Sequence, residues 1–367
     1  MSTTARHTLT ATDYYSDDAY ALEQEQIWFR QWVYAGRSEQ AGATGDFFTV
    51  VVAGESILVT RNGEGKLRGF YNVCRHRGSV LCEDDRGTTK AVFQCPYHAW
   101  CYDLDGGLVA TPRVGADEVD RSSLSLRQVH VDEWQGFVFV NLDREPPLAL
   151  RESLDSHYDS PLHFEIHDLE RLKTVHRTES VVAANWKTLI ENYNECLHCP
   201  IVHPELVAVV PAYKKGVVFE AGRSDGGVAL TTGGTSYSDD QRSRRAVLPN
   251  MTEEQTHSIF GCQVFPNMFL DIAGSNVVAT RLVPEGPLQT RVHTEYLFLP
   301  EDIAADDFDP TPVVEFCELV AGQDYAVSEK VQRGVQSRGF DHGVYPVKDD
   351  YVFQFNEYYR KVRGLSE

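Results

Sequence analysis

Two short strings place soft metal donors side by side. Cys74-Arg75-His76 is followed, after eighteen intervening residues, by Cys95-Pro96-Tyr97-His98. Each string mixes one thiolate with one imidazole. Two thiolates and two imidazoles suit a 2Fe–2S cluster in which one iron keeps cysteine ligands and the other takes histidine. Exchanging two anionic thiolates for neutral imidazoles raises the reduction potential, so such a cluster passes electrons onward to an oxygen-activating iron. A zinc site has the same ligand count. Zinc ribbons, however, bring cysteines at two-residue spacing, and zinc fingers pair Cys with Cys and His with His. The mixed strings fit neither pattern, and the iron–sulfur reading is preferred.

A second set of donors lies further on. Trp186–Leu197 has a helical period, with Trp186, Leu189, Ile190, Tyr193 and Leu197 forming an apolar stripe. Glu191, Glu195 and His198 share a different face. Asn185 is a suitable N-cap, and Pro200 makes continuation past Cys199 unfavourable. His198 is therefore expected in the last helical turn, with His203 just past the break. The later helix Val313–Val335 carries Asp324 within the stripe Val313, Cys317, Val320, Val327, Val331 and Val335, while Glu315, Glu318 and Glu329 fall away from it. A carboxylate on a buried face is costly unless paired or bound to a cation. An ion pair with a core arginine is one compensation and metal ligation the other. His198, His203 and Asp324 would make a facial triad of two histidines and one carboxylate, which leaves open positions for O2 on ferrous iron.

The elements that must hold these donors divide into two kinds. Between residues 46 and 150 short strands dominate: Phe47–Val52 and Ser56–Thr60 across an Ala53-Gly54 turn, Lys66–Tyr71 after Asn62-Gly63, Ala99–Leu104 before Asp105-Gly106, and Trp134–Leu142. Each Cys/His string falls at a turn between such strands. Glu145-Pro146-Pro147 suits a linker. Residues 151–367 mix helices with long strands: Ser258–Phe269, Asn276–Val283 and Gln289–Leu299 as consecutive antiparallel strands, then the Val313–Val335 helix, capped by Thr311 with Pro312 at its first position, and a last segment over Asp350–Val362. Residues 1–45 are partly helical, around Tyr20–Trp32, and are expected to pack with the larger domain. The fold class is α+β.

The chain has 367 residues and a formal net charge of −20. That charge argues against a nucleic-acid surface and against a polybasic membrane patch. No apolar run approaches the roughly 18 residues of a membrane helix, and Met1–Tyr15 carries no secretory core, so a cytoplasmic protein is expected. Eight cysteines without a signal point to a reducing compartment. Cys82, Cys101, Cys196, Cys199, Cys262 and Cys317 then read as small buried hydrophobes, although a Cys82–Cys101 brace beside the cluster is conceivable.

Cys74-Arg75-His76-Arg77-Gly78 with Cys95-Pro96-Tyr97-His98-Ala99-Trp100 resembles the Rieske motif of ring-hydroxylating oxygenase alpha subunits. Glu195-x2-His198-x4-His203 resembles that family's acid-x2-His-x4-His motif, and Gln323-Asp324 with Glu329 and Gln332 resembles the helix supplying its carboxylate. The resemblance runs from about Trp28 to the C-terminus. It implies an all-β Rieske 2Fe–2S domain (46–150) before an antiparallel-sheet-plus-helices, helix-grip-like catalytic domain (151–367). It implies Cys74 and Cys95 on one cluster iron, His76 and His98 on the other, and mononuclear Fe(II) on His198, His203 and Asp324. O2 is then a co-substrate, and NAD(P)H acts only indirectly, through a flavin/iron–sulfur reductase. A homotrimer is implied, with Glu195 bridging an iron-binding histidine to the Rieske histidine of the next subunit. The usual acid there is Asp; the extra methylene of Glu195 alters the geometry but keeps an acceptor. A solvated helix-face carboxylate is the other reading of Glu195.

The string Glu191–Cys199 looks closest to the quaternary-ammonium branch of the family, acting on betaines or carnitine by hydroxylation or oxidative N-demethylation. An N-methyl cation calls for an aromatic cage. Tyr193, Phe260, Phe265, Phe269, Phe353 and Phe355 are available, though aromatics at such spacings also build cores. The rival small-molecule class is an aromatic or other hydrophobic compound for hydroxylation or O-demethylation. A 2Fe–2S electron-transfer protein without oxygenase activity is the alternative of a different class.

Overall fold

The structure, a computed structural model, describes residues 6–115, 117–216, 227–231, 233–238 and 245–365. It divides into two compact units, Gln24–Ser153 and Met1–Glu23 with Leu154–Glu367. The N-terminal segment expected to join the larger unit as far as residue 45 does so only to Glu23. Beyond it, Val33–Arg37 is fully buried as an edge strand of the β-rich unit.

That β-rich unit is built from β1 (Val33–Arg37), β2 (Asp46–Val52), β3 (Glu55–Arg61), β4 (Leu67–Tyr71), β5 (Arg86–Thr88), β6 (Val92–Gln94), β7 (Cys101–Asp103), β8 (Leu108–Ala110), β9 (Gln128–Trp134) and β10 (Phe137–Asn141). Seven strands form one antiparallel sheet in the order β1-β10-β9-β4-β3-β2-β5, and β6-β7-β8 form a second. The Ala53-Gly54 turn has φ of 53° and 78° at its two residues, the left-handed pair that a tight hairpin needs. The expected strand Trp134–Leu142 starts on the last residue of β9 and otherwise covers β10. Gln135 and Gly136, at φ 49° and 76°, turn the chain back between β9 and β10. A core of Phe47, Leu58, Phe70, Phe93, Trp100 and Tyr102 packs around Cys74 and Cys95.

The larger unit centres on a six-stranded antiparallel sheet, β11 (Lys173–Val182), β12 (Val228–Ala229), β13 (Ser258–Val264), β14 (Met268–Ala273), β15 (Asn276–Gly286) and β16 (Gln289–Phe298), in the order β11-β16-β15-β14-β13-β12. The expected strand Ser258–Phe269 is a hairpin, β13 to β14, because Pro266 cannot donate to a ladder and breaks it. Strand β11, absent from the sequence expectation, alternates with so many charged side chains that its period lacks apolar contrast.

Helices α1 (Ala11–Tyr15), α2 (Asp17–Glu23), α3 (Trp186–Tyr193), α4 (Cys199–Val202), α5 (Pro204–Val209), α6 (Thr311–Val335) and α7 (Asp350–Arg363) are among the helices packed with this sheet in the unit. Among the described residues no helix is long and apolar enough to cross a membrane. Thr311 is the first residue of α6 rather than its cap, and Asp309 accepts its N–H at 2.9 Å. The buried stripe of α6 follows Val313, Phe316, Cys317 and Val320, then Ser328, Gln332 and Val335. Val331, expected within it, is exposed. The shift is explained by Gln332, which accepts from the Asn185 backbone N–H at 2.8 Å and donates to the Tyr14 carbonyl at 3.1 Å. Glu318, expected to face away, instead accepts hydroxyl protons from Thr178 and Tyr296.

One charged pair is sealed in this core. Lys187 and Glu23 are both 0% exposed and meet at 2.6 Å. Trp186 and Tyr359 also donate to Glu23, and Lys187 donates to Asn185, so the buried charges keep several partners. This ties α2 to the start of α3.

Candidate functional site

The first Cys/His string sits in the loop after β4 and the second in the loop between β6 and β7. Both loops close on themselves in the same way. Gly78 N–H bonds the Cys74 carbonyl at 3.1 Å, and Ala99 N–H bonds the Cys95 carbonyl at 3.0 Å. Gly78 and Ala99 both take positive φ, 73° and 60°. Cys74 and Cys95 are 3% and 1% exposed, whereas His76 lies at the surface and His98 is half-buried. The cysteines thus sit on the inner side and the imidazoles on the outer. His76 Nδ1 and His98 Nδ1 face each other at 3.2 Å, and the His76 ring stacks on Trp100. The Tyr102 hydroxyl accepts the Arg75 N–H at 2.9 Å and lies 3.3 Å from Cys74 Sγ. Burial pushes the Cys74 thiol up; at Cys95 burial acts the same way, but the Tyr97 N–H, the Cys74 thiol and the His98 N–H together outweigh it and hold that thiol low. Donors aimed at sulfur are what an anionic cluster requires.

Among the described residues, only His198, His203 and Asp324 bring three metal-donor atoms within 4.8 Å of one another. The Cys/His set does not close on one point as a single zinc ion would demand. Its pairing of inner sulfurs and outer nitrogens fits a two-iron cluster.

His198, His203 and Asp324 meet although the helix expected to carry His198 stops early. Helix α3, capped by the Asn185 side chain on Lys187 N–H, ends at Tyr193. Glu195 and His198 lie in the following turn, so Glu191, Glu195 and His198 do not share a helix face. Glu191 is held instead by Tyr14, Tyr345 and Asn356. His198 precedes α4, and His203 separates α4 from α5. His198 Nε2 lies 3.1 Å from His203 Nε2, and Asp324 Oδ1 lies 2.8 Å from His203 Nε2 and 3.3 Å from His198 Nε2. Two ligands at right angles, each about 2.1 Å from an ion, stand about 3.0 Å apart; tetrahedral ligands stand about 3.4 Å apart. The three separations centre on the octahedral value, so these atoms span one octahedral face and can hold one ion with the opposite face open.

The outer ring nitrogens are also engaged. Glu195 Oε1 accepts from His198 Nδ1 at 2.5 Å, and Gln323 Oε1 accepts from His203 Nδ1 at 2.7 Å. Both contacts put the proton on Nδ1 and turn the Nε2 lone pair toward the shared point. Asn192 donates to Asp324 Oδ1 at 2.6 Å. Burial disfavours charge on the His198 ring, yet its hydrogen bonds to Asp324 and Glu195 outweigh that and lift it to about 9. Burial also acts to raise Asp324, but the two histidines hold its carboxyl low. The site favours positive charge, which the His198 proton supplies when no metal is bound. Gln323 and Asn192 carry no role in the sequence reading; adjacency to Asp324 was the available signal for the first, and nothing marks the second.

Beside these residues lies a cavity of 180 Å³. Strand alternation explains its floor. Gly261 and Asp271 are cross-strand partners, as are Phe269 and Thr280, Asp271 and Val278, Thr280 and Thr294, and Val278 and Tyr296. All of them line the cavity. Tyr193 lies flat on Phe269, centroids 4.1 Å apart. Of the aromatic residues expected at a substrate pocket, Tyr193 and Phe269 line the cavity. Phe260 points to the other sheet face, against Phe164; Phe265 and Phe355 pack together with Trp186; Phe353 lies under Arg6.

Cys196 and Cys199 are joined by a disulfide, Cα to Cα 5.0 Å, which corrects their expected place among unpaired hydrophobes. The turn after α3 brings the two sulfurs together; on a continued helix they would have been ordinary neighbours. Cys82, Cys101, Cys262 and Cys317 are free thiols, so no Cys82–Cys101 brace exists.

Comparison with known proteins matches residues 169–364 to the ring hydroxylating alpha subunit (catalytic domain) family and residues 31–130 to the Rieske [2Fe-2S] domain family. The chain is 29% identical to the glycine betaine monooxygenase oxygenase subunit of Chromohalobacter salexigens, across 96% of this chain and 85% of that one. It is 30% identical to the carnitine monooxygenase oxygenase subunit of Acinetobacter baumannii, across 89% and 85%. Among solved structures it superposes on the quaternary ammonium Rieske monooxygenase CntA in complex with L-carnitine, with a TM-score of 0.77 and 23% identity over 99% of this chain and 96% of that one. It also superposes on naphthalene 1,2-dioxygenase from Rhodococcus sp., with a TM-score of 0.76 and 20% identity over 98% and 95%.

Proposed function

The chain belongs to the ring-hydroxylating alpha-subunit family of Rieske non-haem iron oxygenases, and we propose that it oxidises a small quaternary ammonium compound by hydroxylation or oxidative N-demethylation. Its cofactors are the Rieske 2Fe–2S cluster and a mononuclear iron, with O2 as co-substrate. When bound, the cluster supplies electrons and the ferrous ion supplies the O2 chemistry. We assign the cluster to Cys74, Cys95, His76 and His98, and the single iron to His198, His203 and Asp324.

The observation that carries the substrate reading is the cavity itself. Asp159, Asp271 and Glu318 reach its wall together with Tyr193, Tyr237, Phe269 and Tyr296. Carboxylates over aromatic surface suit a cationic nitrogen and are poor company for a neutral aromatic ring. The cavity also falls below the about 300–1,000 Å³ of pockets for drug-sized ligands, which favours a compact substrate. The names of the glycine betaine and carnitine relatives agree with this reading.

The remaining residues hold and aim. Glu195 and Gln323 fix the two imidazoles so that each offers Nε2 inward. Glu195, one oxygen on His198 and its side chain 21% exposed, is our candidate for the link to a Rieske histidine of a neighbouring subunit. A homotrimer served by a flavin/iron–sulfur reductase in the cytoplasm completes the proposal. The test is single turnover of reduced, iron-loaded protein with trimethylammonium compounds and with simple arenes, scored by oxidised product per iron. Product from the trimethylammonium compounds alone is expected; product from arenes alone would overturn the substrate assignment.

A further inference from the structure

One carboxylate in the cavity has less compensation than its neighbours. Asp271 sits in the middle of β14 and shares the cavity face with Phe269 two residues earlier. Glu318 accepts two hydroxyl protons at 2.7 Å, from Thr178 and Tyr296. Asp159 accepts the Gln263 backbone N–H at 2.9 Å. Glu195 serves His198. Asp271 has the Tyr193 hydroxyl, at 3.1 Å, and no other hydrogen-bond donor or ion-pair partner among the described residues. That hydroxyl is shared, since it also lies 3.2 Å from the Leu270 carbonyl. Burial pushes the Asp271 carboxyl up to about 7, with Asp324 adding to the effect.

Space has been kept in front of this group. Its cross-strand partner is Gly261. A Cβ at that position would stand 3.1 Å from the Tyr193 hydroxyl and 3.9 Å from Asp271 Oδ1. Any larger side chain would cover the carboxylate. The stacked Tyr193–Phe269 pair lies alongside and offers aromatic surface to whatever occupies the gap.

We propose that Asp271 is the specificity-determining anion of the cavity, meeting the positively charged nitrogen of the substrate in the space opened by Gly261. This rests on the quaternary-ammonium reading above and deepens it. A quaternary nitrogen has no N–H to donate, so it answers Asp271 by charge alone and leaves the Tyr193 hydrogen bond in place. The assignment separates two duties of the cavity wall. Tyr193 and Phe269 supply shape that a neutral isostere uses equally well, whereas Asp271 supplies the discrimination between a nitrogen cation and a carbon of the same shape.

The test compares 2-hydroxyethyl-trimethylammonium with its neutral carbon isostere 3,3-dimethylbutan-1-ol, by calorimetric titration of anaerobic protein carrying cluster and iron. Wild type is expected to favour the cation by roughly 30-fold or more, 30-fold being the low end for removing one partner of a buried charge pair. Asp271→Asn keeps the shape and the Tyr193 contact, and is expected to bring the ratio near unity without weakening the neutral compound. Ligand-free Asp271→Asn is expected to melt no lower than wild type, because it removes an under-compensated buried charge; a purely structural acid would give a lower melting temperature. If wild type prefers the cation and Asp271→Asn preserves that preference, the Asp271 assignment fails while the substrate class stands. If wild type shows no preference for the cation, both fail.

Discussion

Gln323 offers a sharp test of how the single-iron site is built. Its side-chain nitrogen donates to Glu205 Oε2 at 3.2 Å, which turns the amide oxygen toward His203. That oxygen lies 2.7 Å from Nδ1, so Nδ1 carries the proton and Nε2 keeps its lone pair for metal. His203 is 1% exposed, leaving little access for a replacement water. Gln323→Leu would strand the Nδ1–H, a loss of about 1–3 kcal/mol for a buried donor. The ring escapes that loss by moving its proton to Nε2, the atom needed for iron. Removing such an outer partner typically weakens metal binding about 10- to 100-fold, or about 1.4–2.7 kcal/mol, which falls within the same range. The assay is anaerobic competition for Fe(II) against a chromophoric chelator, with acid-labile sulfide and visible absorbance monitoring the cluster. The Fe(II) dissociation constant is expected to rise by that factor with sulfide unchanged. Wild-type Fe(II) affinity in a folded Gln323→Leu protein would refute the idea that His203 binds through an Nε2 held by its outer partner.

Further expectations concern the cluster, the metal-free site and the core. Tyr102→Phe removes the hydroxyl 3.3 Å from Cys74 Sγ; at about 0.5–1.5 kcal/mol for one hydrogen bond, the cluster potential should drop by about 20–65 mV in protein-film voltammetry, and an unchanged potential would show that the hydroxyl does not act on the sulfur. Before iron binds, His198 holds its proton up to about 9. Iron must displace that proton, so apparent Fe(II) affinity should rise with pH by about tenfold per unit and level off above that value; a flat profile between neutrality and pH 8 would contradict the arrangement. Lys187→Met leaves Glu23 buried without its cation and should cost roughly 3–5 kcal/mol in denaturant unfolding, whereas Glu23→Gln, which keeps an acceptor for Trp186 and Tyr359, strands Lys187 but should retain those hydrogen bonds. Equal stability of wild type and Lys187→Met would mean the pair contributes nothing.

What was legible in the sequence was chemistry carried by local spacing. Cys74, His76, Cys95 and His98 lie close enough along the chain for their turns to be recognised without a fold. The Ala53-Gly54 hairpin was legible for the same reason, because its backbone demand falls on two adjacent residues. Asp324 was legible through one physical inconsistency, an acid within an apolar stripe. The stripe was met at Val335 but was followed without a break only as far as Val320. Beyond it the helix obeys Gln332, whose partners Tyr14 and Asn185 lie 318 and 147 residues away in sequence. No local period encodes such a contact.

The cavity shows the same limit more strongly. Phe260 and Phe269 look alike in composition, yet one faces Phe164 and the other the cavity. The difference is parity: a shift of one residue in a strand exchanges its two faces. The hairpin at Pro266 adds what parity lacks, by pairing Val264 with Met268 and hence Gly261 with Asp271. A reading that joins β13 and β14 into one strand already parts Phe260 from Phe269, nine positions on, but cannot know that an isolated acid and a glycine stand opposite each other. Asp271 was therefore invisible as a functional residue while Asp324 was not. Asp324 sits next to a marked helix motif, whereas Asp271 acquires its meaning only when three strands fall into register and Tyr193 arrives from α3. The donor atoms of the iron site are written locally; the surface that chooses what is presented to them is written in the register of the sheet.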